Sequence, residues 1–234
     1  MKGRKCRFAF TGKEFSLVIL IELDGVLLDV RPRHYRLYKE IVGELGLPSI
    51  ASDDYWRMVR LGEPVARILK TAKPRHVAAF EQAWSDRIEG DALLEGDEPF
   101  ENTTANLRAL STQGVRHLIT MRLNKDGANA ALGRYDLYPY FDQMKALSPI
   151  RGTRIDQMNE LFGENRKRIV VAASDVVLRC ARETDAFTVG VASGTCAPRL
   201  LRQAGADFVA ATFDEFVDNL APVSPELRQA GWIG

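Results

Sequence analysis

The aliphatic run at residues 17–21 (LVILI) is the feature that most limits how this chain can fold. Such a run leaves no polar face for solvent, so it predicts a strand that is covered on both faces, as in a parallel sheet. Glu22 ends the run, and Asp24 and Gly25 follow one residue later. Because open α/β sheets bind ligands beyond the carboxyl ends of their strands, these two acids mark a candidate site.

Downstream of residue 99, apolar runs alternate with helical patterns of period 3.6. The alternation predicts a parallel sheet whose strands are joined by right-handed helical crossovers. The further predicted strands are 115–120 (VRHLIT), 168–172 (RIVVA), 187–191 (FTVGV) and 208–210 (FVA).

Residues 31–95 contain helical patterns and no strand pattern. Pro32, Pro64 and Pro74 each stand at a plausible first helical turn. We therefore expect a Rossmann-like, three-layer α/β core made of residues 1–30 and 96–234, with a small helical cap inserted at 31–95.

The composition argues against several classes of partner. A formal net charge of +1 gives no reason to expect nucleic acid or membrane binding, and the basic residues near the N-terminus are interpreted as a solvated tail. No apolar run approaches the roughly 20 residues that span a bilayer. The 3 cysteines have no metal-site or disulfide spacing, which favours a reducing, cytoplasmic location.

Several segments, taken in order, resemble the motifs of the haloacid dehalogenase superfamily. Residues 19–29 (ILIELDGVLLD) resemble its first motif, an apolar strand followed by Asp-x-Asp-Gly-Thr/Val-Leu-x-Asp. Residues 114–121 resemble the second motif, 151–161 the third and 167–182 the fourth. Residues 189–194 and 204–207 are similar to the phosphoglycolate-phosphatase-like branch of subfamily I. The resemblance covers about residues 16–220.

The resemblance implies a phosphatase that forms an aspartyl-phosphate and uses Mg²⁺. The family's nucleophile falls on Glu22, and its general acid and base falls on Asp24. The hydroxyl that contacts the phosphate falls on Thr120, and the basic residue that neutralises it falls on Arg154.

The same mapping reveals a degenerate site. Glu22 replaces aspartate and carries its carboxylate about 1.5 Å farther from the main chain. Ala173 and Val177 stand where the fourth motif carries acids, so Mg²⁺ loses ligands that it needs. Asp175 is one candidate replacement, which would make Glu22, Asp24 and Asp175 the metal set.

We therefore expect a protein that is inactive or strongly impaired as a phosphatase. It would bind a phosphorylated metabolite or act through a protein partner. The alternative is an atypical phosphomonoesterase that uses Glu22 and Asp24, with Asp175 as the substitute carboxylate. Metal-free dehalogenation and an unrelated α/β binding module are the other readings. The cap sequence carries no readable code for a substrate.

Overall fold

A parallel sheet forms the centre of the computed structural model, which describes residues 17–71, 73–164 and 166–220. The strands are β1 (Leu17–Glu22), β2 (Leu28–Asp29), β3 (Glu98–Pro99), β4 (Val115–Thr120), β5 (Gln143–Ala146), β6 (Lys167–Ala172), β7 (Phe187–Val191) and β8 (Phe208–Ala210). The helices are α1 (Arg31–Glu44), α2 (Ser52–Arg60), α3 (Val65–Ile68), α4 (Pro74–Arg87), α5 (Asp91–Leu94), α6 (Thr103–Ala109), α7 (Lys125–Arg134), α8 (Arg151–Phe162), α9 (Asp175–Ala181), α10 (Pro198–Ala204) and α11 (Phe213–Leu220).

The sheet has the strand order β5-β4-β1-β6-β7-β8, and every pair in it is parallel. β1 lies between β4 and β6, with Ile21 paired to Leu118 on one side and to Val171 on the other. This confirms the predicted α/β, Rossmann-like class. The sequence does not predict β5, because Gln143–Ala146 is a short edge strand without a buried apolar run.

Alternate residues of β1 face two separate apolar layers. Leu17, Ile19 and Ile21 join a core cluster that includes side chains of α6, α7 and α11. Val18 and Leu20 join a second cluster, with side chains of α8, α9 and α10. Because successive strand residues point to opposite faces, an unbroken aliphatic run is what a sheet covered on both sides requires.

The helices α1 to α5 carry an apolar cluster of their own. Its centre is aromatic: the Tyr38 and Tyr55 rings stack at 4.4 Å, and the Phe80 and Trp84 rings stack at 5.5 Å. The chain enters and leaves this helical segment through the antiparallel pair β2–β3, in which Asp29 is opposite Glu98.

The predictions of a basic N-terminal tail and of no membrane span can be compared only with the described residues. The basic N-terminal segment lies outside the described residues. Within residues 17–71, 73–164 and 166–220, no helix is both long enough and apolar enough to cross a bilayer.

Candidate active site

The carboxyl ends of β1, β4 and β6 meet at one edge of the sheet, and the predicted site lies there. After β1 the chain makes a tight turn, in which Leu27 and Leu28 donate backbone hydrogen bonds to the carbonyl of Leu23 at 3.1 Å. Gly25 adopts a φ of +77° in this turn, a conformation that favours glycine. Ser193, after β7, donates to the Gly25 carbonyl at 2.6 Å and ties the turn to a neighbouring loop.

The Glu22 side chain is buried and points into the loop between β6 and α9. Its Oε2 accepts hydrogen bonds from the backbone N–H groups of Ala173 (2.8 Å) and Ser174 (3.1 Å). Its Oε1 accepts from the Ser174 hydroxyl at 2.8 Å. The longer side chain thus reaches the loop in which the fourth motif would carry its acids.

The same contacts set the ionisation of Glu22. Burial is the largest influence and raises its pKa, while hydrogen bonds from Ser174 and Ala173 oppose this and the charge of Asp24 adds to it. The resulting pKa of Glu22 is about 7, against 4.5 for an ordinary glutamate. At neutral pH this carboxyl is therefore part acid and part carboxylate.

Asp24 is held by two arginines. Arg122 Nε lies 3.0 Å from both carboxylate oxygens and Arg122 Nη2 lies 2.5 Å from Oδ1, while Arg33 Nη2 lies 3.1 Å from Oδ2. Burial on its own would raise the pKa of Asp24, but the charges of Arg122 and Arg33 outweigh it and hold that pKa below its usual value. Asp24 is therefore a stable carboxylate with both oxygens occupied.

Asp97 completes the group that we call the Asp24 cluster: Asp24, Arg33, Asp97 and Arg122. Arg122 Nη2 lies 2.5 Å from Asp97 Oδ2, and Arg33 Nε lies 3.2 Å from Asp97 Oδ1. The side chains of Arg33, Arg122 and Asp97 are 3%, 1% and 0% exposed, whereas that of Asp24 is 28% exposed. Burial raises the pKa of Asp97 to about 6 despite the two arginines.

The other two predicted catalytic residues have structural partners. Thr120 is buried at the end of β4, where its Oγ1 accepts the backbone N–H of Arg122 at 3.1 Å. Arg154 is also buried, and its guanidinium donates to the carbonyls of Ser148 and Pro149, both at 2.9 Å, and to the Cys180 thiol at 3.4 Å. In the described residues neither side chain hydrogen-bonds to Glu22 or Asp24.

The metal set of Glu22, Asp24 and Asp175 stays a prediction, and the described residues give it no support. Asp175 lies at the start of α9 and pairs with Arg179, one helical turn later, at 3.4 Å on an exposed face. Within the described ranges, no group of three or more His, Cys, Asp or Glu side chains could hold a metal ion.

Packing around Ala173 also disfavours Mg²⁺. A Cβ added to Gly25 would lie 2.8 Å from the Ala173 Cβ, and one added to Gly194 would lie 2.6 Å from it. Backbone therefore surrounds the methyl group at the position where the resemblance expects a carboxylate. Since the oxygens of Glu22 and Asp24 are also taken by protein donors, the residues present do not fit the Mg²⁺ that the resemblance implies.

Sequence reasoning missed three members of the Asp24 cluster. Arg33 belongs to the first turn of α1, Asp97 precedes β3 and Arg122 follows β4. Each is a charged residue beside a predicted element boundary, where solvated charges are common. The one available signal was Arg122, a large cation two residues after the strand end that carries Thr120, in a region that the resemblance assigns to phosphate binding.

Comparison with known proteins gives structural matches alone: no family model and no curated sequence matches this chain. A haloacid dehalogenase-like hydrolase from Streptococcus pneumoniae is 19% identical, with a TM-score of 0.63 over 87% of this chain and 98% of that one. A predicted phosphatase from Clostridium acetobutylicum is 17% identical, with a TM-score of 0.64 over 88% and 98%.

A third match has the same fold. A predicted phosphoglycolate phosphatase from Haemophilus somnus is 15% identical, with a TM-score of 0.62 over 88% of this chain and 99% of that one. Together with the parallel six-stranded sheet, these matches show that the chain has the fold of the haloacid dehalogenase-like hydrolases.

Proposed function

We propose that this chain is a haloacid dehalogenase-fold protein that does not transfer phosphoryl groups at the Asp24 site. The observation that carries the proposal is the Arg122 guanidinium, which lies within 3.0 Å of both carboxylate oxygens of Asp24. A general acid and base must exchange a proton with the leaving group and then with water. Asp24 is instead held as a carboxylate by a buried cation.

Glu22 supports the same proposal. A nucleophile must present a free oxygen to phosphorus, within about 3–3.5 Å and in line with the leaving group. Both oxygens of Glu22 accept hydrogen bonds from Ala173 and Ser174. The alternative of an atypical phosphatase needs Asp175 as a substitute ligand, and the Asp175 side chain is paired with Arg179.

A phosphorylated metabolite would meet competition at this site. Its phosphate would compete with Asp24 and Asp97 for Arg122, which pairs with both carboxylates through Nη2. Of the Arg122 nitrogens, the buried Nη1 is the one with no hydrogen-bond partner among the described residues. The proposal therefore favours a role without phosphate, through another ligand or a protein partner.

The direct test is hydrolysis of p-nitrophenyl phosphate and a sugar-phosphate panel with Mg²⁺ between pH 6 and 8. We expect wild-type release of phosphate to equal that of Glu22→Ala and Asp24→Asn variants purified in the same way. Inorganic phosphate and vanadate should leave the thermal unfolding temperature unchanged. Turnover that disappears in either variant would contradict the proposal, and so would a saturable rise in unfolding temperature with phosphate.

A further inference from the structure

A cavity lies among helices α1 to α4, next to the Asp24 cluster, because its lining residue His34 follows Arg33 in the chain. Its volume is about 380 Å³, within the range of small-molecule sites, and Thr195, after β7, closes it on the core side. None of Glu22, Asp24, Thr120 and Arg154 is among the described residues that line it. A ligand in this cavity would therefore contact a different set of residues from the predicted catalytic ones.

Aromatic rings form much of that wall. Tyr55 from α2 and Phe80 and Trp84 from α4 line the cavity together with aliphatic side chains. The Phe80 and Trp84 rings stack at 5.5 Å, and Tyr55 is fixed by its stack on Tyr38, so the wall is rigid. A rigid aromatic wall accepts a flat apolar group with little loss of side-chain freedom.

His34 adds a polar but uncharged group to the lining. Its ring makes edge contacts with Trp56 and Trp84, at centroid distances of 5.8 and 5.2 Å. Burial, assisted by the charge of Arg33, lowers its pKa to about 3, so the imidazole is neutral at physiological pH. Its Nδ1 is buried and has no hydrogen-bond partner in the described residues.

The charged groups in the lining are both acidic. Glu63 pairs with Arg67 at 3.1 Å, and Arg67 is not itself a lining residue. Glu81 is exposed at α4 and has no ion-pair partner within the described residues. With Glu63 paired to Arg67, Glu81 is the lining carboxylate that has no ion-pair partner among the described residues. It repels an anion and attracts a cation, and the aromatic faces nearby favour a cation as well.

We propose that this cavity binds an organic cation with an apolar body of one or two rings. The body would pack against Tyr55, Phe80 and Trp84, and the charged nitrogen would lie towards Glu81. The proposal does not depend on whether the Asp24 site is inactive, because the two sites share none of the residues that define them.

The test uses three probes that share one ring system and differ in charge: 2-naphthylmethylamine, 2-naphthol and 2-naphthoate. Calorimetric titration of the full chain at pH 7 and low salt would measure the three dissociation constants. We expect the amine to bind roughly 3- to 30-fold more tightly than the neutral naphthol, as for a cation over an aromatic face. Naphthoate should bind most weakly.

Two variants separate the charge from the cavity. Glu81→Gln should remove most of the difference in affinity between the amine and naphthol, and it should change the dissociation constant of naphthol by less than about twofold. Glu101→Gln is its control, because Glu101 is exposed and lies outside the lining. Val59→Phe should narrow the cavity and weaken all three probes. Ala79→Phe, which adds a ring at an exposed position of α4, is its control.

Equal binding of all three probes, tighter binding of naphthoate, or no saturable binding of any probe would overturn the proposal. Because Glu81 is exposed, Glu81→Gln keeps the test decisive even if Val59→Phe fails to fold.

Discussion

Glu22 shows how one methylene group redirects a carboxylate. The side chain leaves the end of β1 and reaches the backbone of the next loop, where Ala173 and Ser174 donate to it. The carboxylate at the position of the family's nucleophile instead links the end of β1 to the loop after β6 by hydrogen bonds. Because the pKa of Glu22 is raised to about 7, the charge of this hydrogen-bonded carboxyl changes near neutral pH.

The pH dependence of stability follows from that pKa. Unfolded Glu22 releases its proton near pH 4.5, and folded Glu22 releases it near pH 7. Between these values the folded state binds more protons, so the free energy of unfolding falls as pH rises, by up to about 3 kcal/mol, and is constant above the folded pKa. Glu22→Gln cannot ionise and should lack this component.

Urea unfolding at pH 5, 6, 7 and 8 would check this prediction. The stability of Glu22→Gln relative to wild type should increase steadily from pH 5 to pH 7. Asp175→Asn, which removes an exposed carboxyl, is the control. Parallel pH curves for wild type and Glu22→Gln would show that the prediction is wrong.

Arg122 is the residue whose loss should cost most at this site. Arg122→Met would leave Arg33 as the one cation of the Asp24 cluster for two carboxylates, and breaking a buried ion pair costs about 3 kcal/mol or more. Arg151→Met, which removes an exposed pair with Glu183, should cost less than about 1 kcal/mol. Chemical unfolding of both variants measures the difference, and equal losses would contradict the role given to Arg122.

At the scale of elements, the loops after β1, β6 and β7 pack backbone against backbone. Gly25, Ala173 and Gly194 meet at distances that leave no room for a further Cβ. Gly194→Ala would place its Cβ 2.6 Å from that of Ala173, so we expect a loss of about 1–3 kcal/mol from overpacking.

Gly43 provides the matched control for this substitution. It lies within α1, and a Cβ added there meets no atom within 4 Å. Gly43→Ala should therefore raise stability by about 0.5–1 kcal/mol, through helix propensity alone. Thermal unfolding of the two variants should move in opposite directions, and a neutral Gly194→Ala would refute the close contact.

The same scale shows what the sequence could predict. The aliphatic runs of β1, β4 and β6 specify buried parallel strands, and the acids after β1 mark the right edge of the sheet. β5 could not be found, since an edge strand of mixed polarity has no periodic signal. The Asp24 cluster could not be found either, because its members are distant in sequence and charges at element boundaries have no pattern that reveals their partners.

Across the whole molecule, the helical segment α1–α5 is joined to the core by polar contacts. The Asp24 cluster takes Arg33 from α1 and Arg122 from the core. On the other side, Arg60 of α2 donates to the Ala192 carbonyl at 2.6 Å, and the Ala197 N–H donates to the Arg60 carbonyl at 2.8 Å. These contacts bridge the same two parts of the chain at separate places.

We expect the Arg60 contact to limit local opening between these parts. Arg60→Ala should increase amide hydrogen exchange at residues 192–197 and at the end of α2, while amides of β1 and β6 stay protected. Arg57→Ala is the matched control, because Arg57 lies on the same helix and pairs with its near neighbour Asp54. Identical exchange maps for the two variants would rule out a bridging role for Arg60.

The β2–β3 pair marks where the helical segment α1–α5 could be deleted from the protein. Opposed residues of an antiparallel pair have α-carbons about 5 Å apart, so Asp29 and Glu98 could be joined by a two-residue hairpin turn. Excising the insertion between them would close the chain without stretching either end. The shortened protein would keep Asp24 and Arg122 and expose the buried guanidinium of Arg122 to water, so that a partly covered polar cluster would become a surface groove.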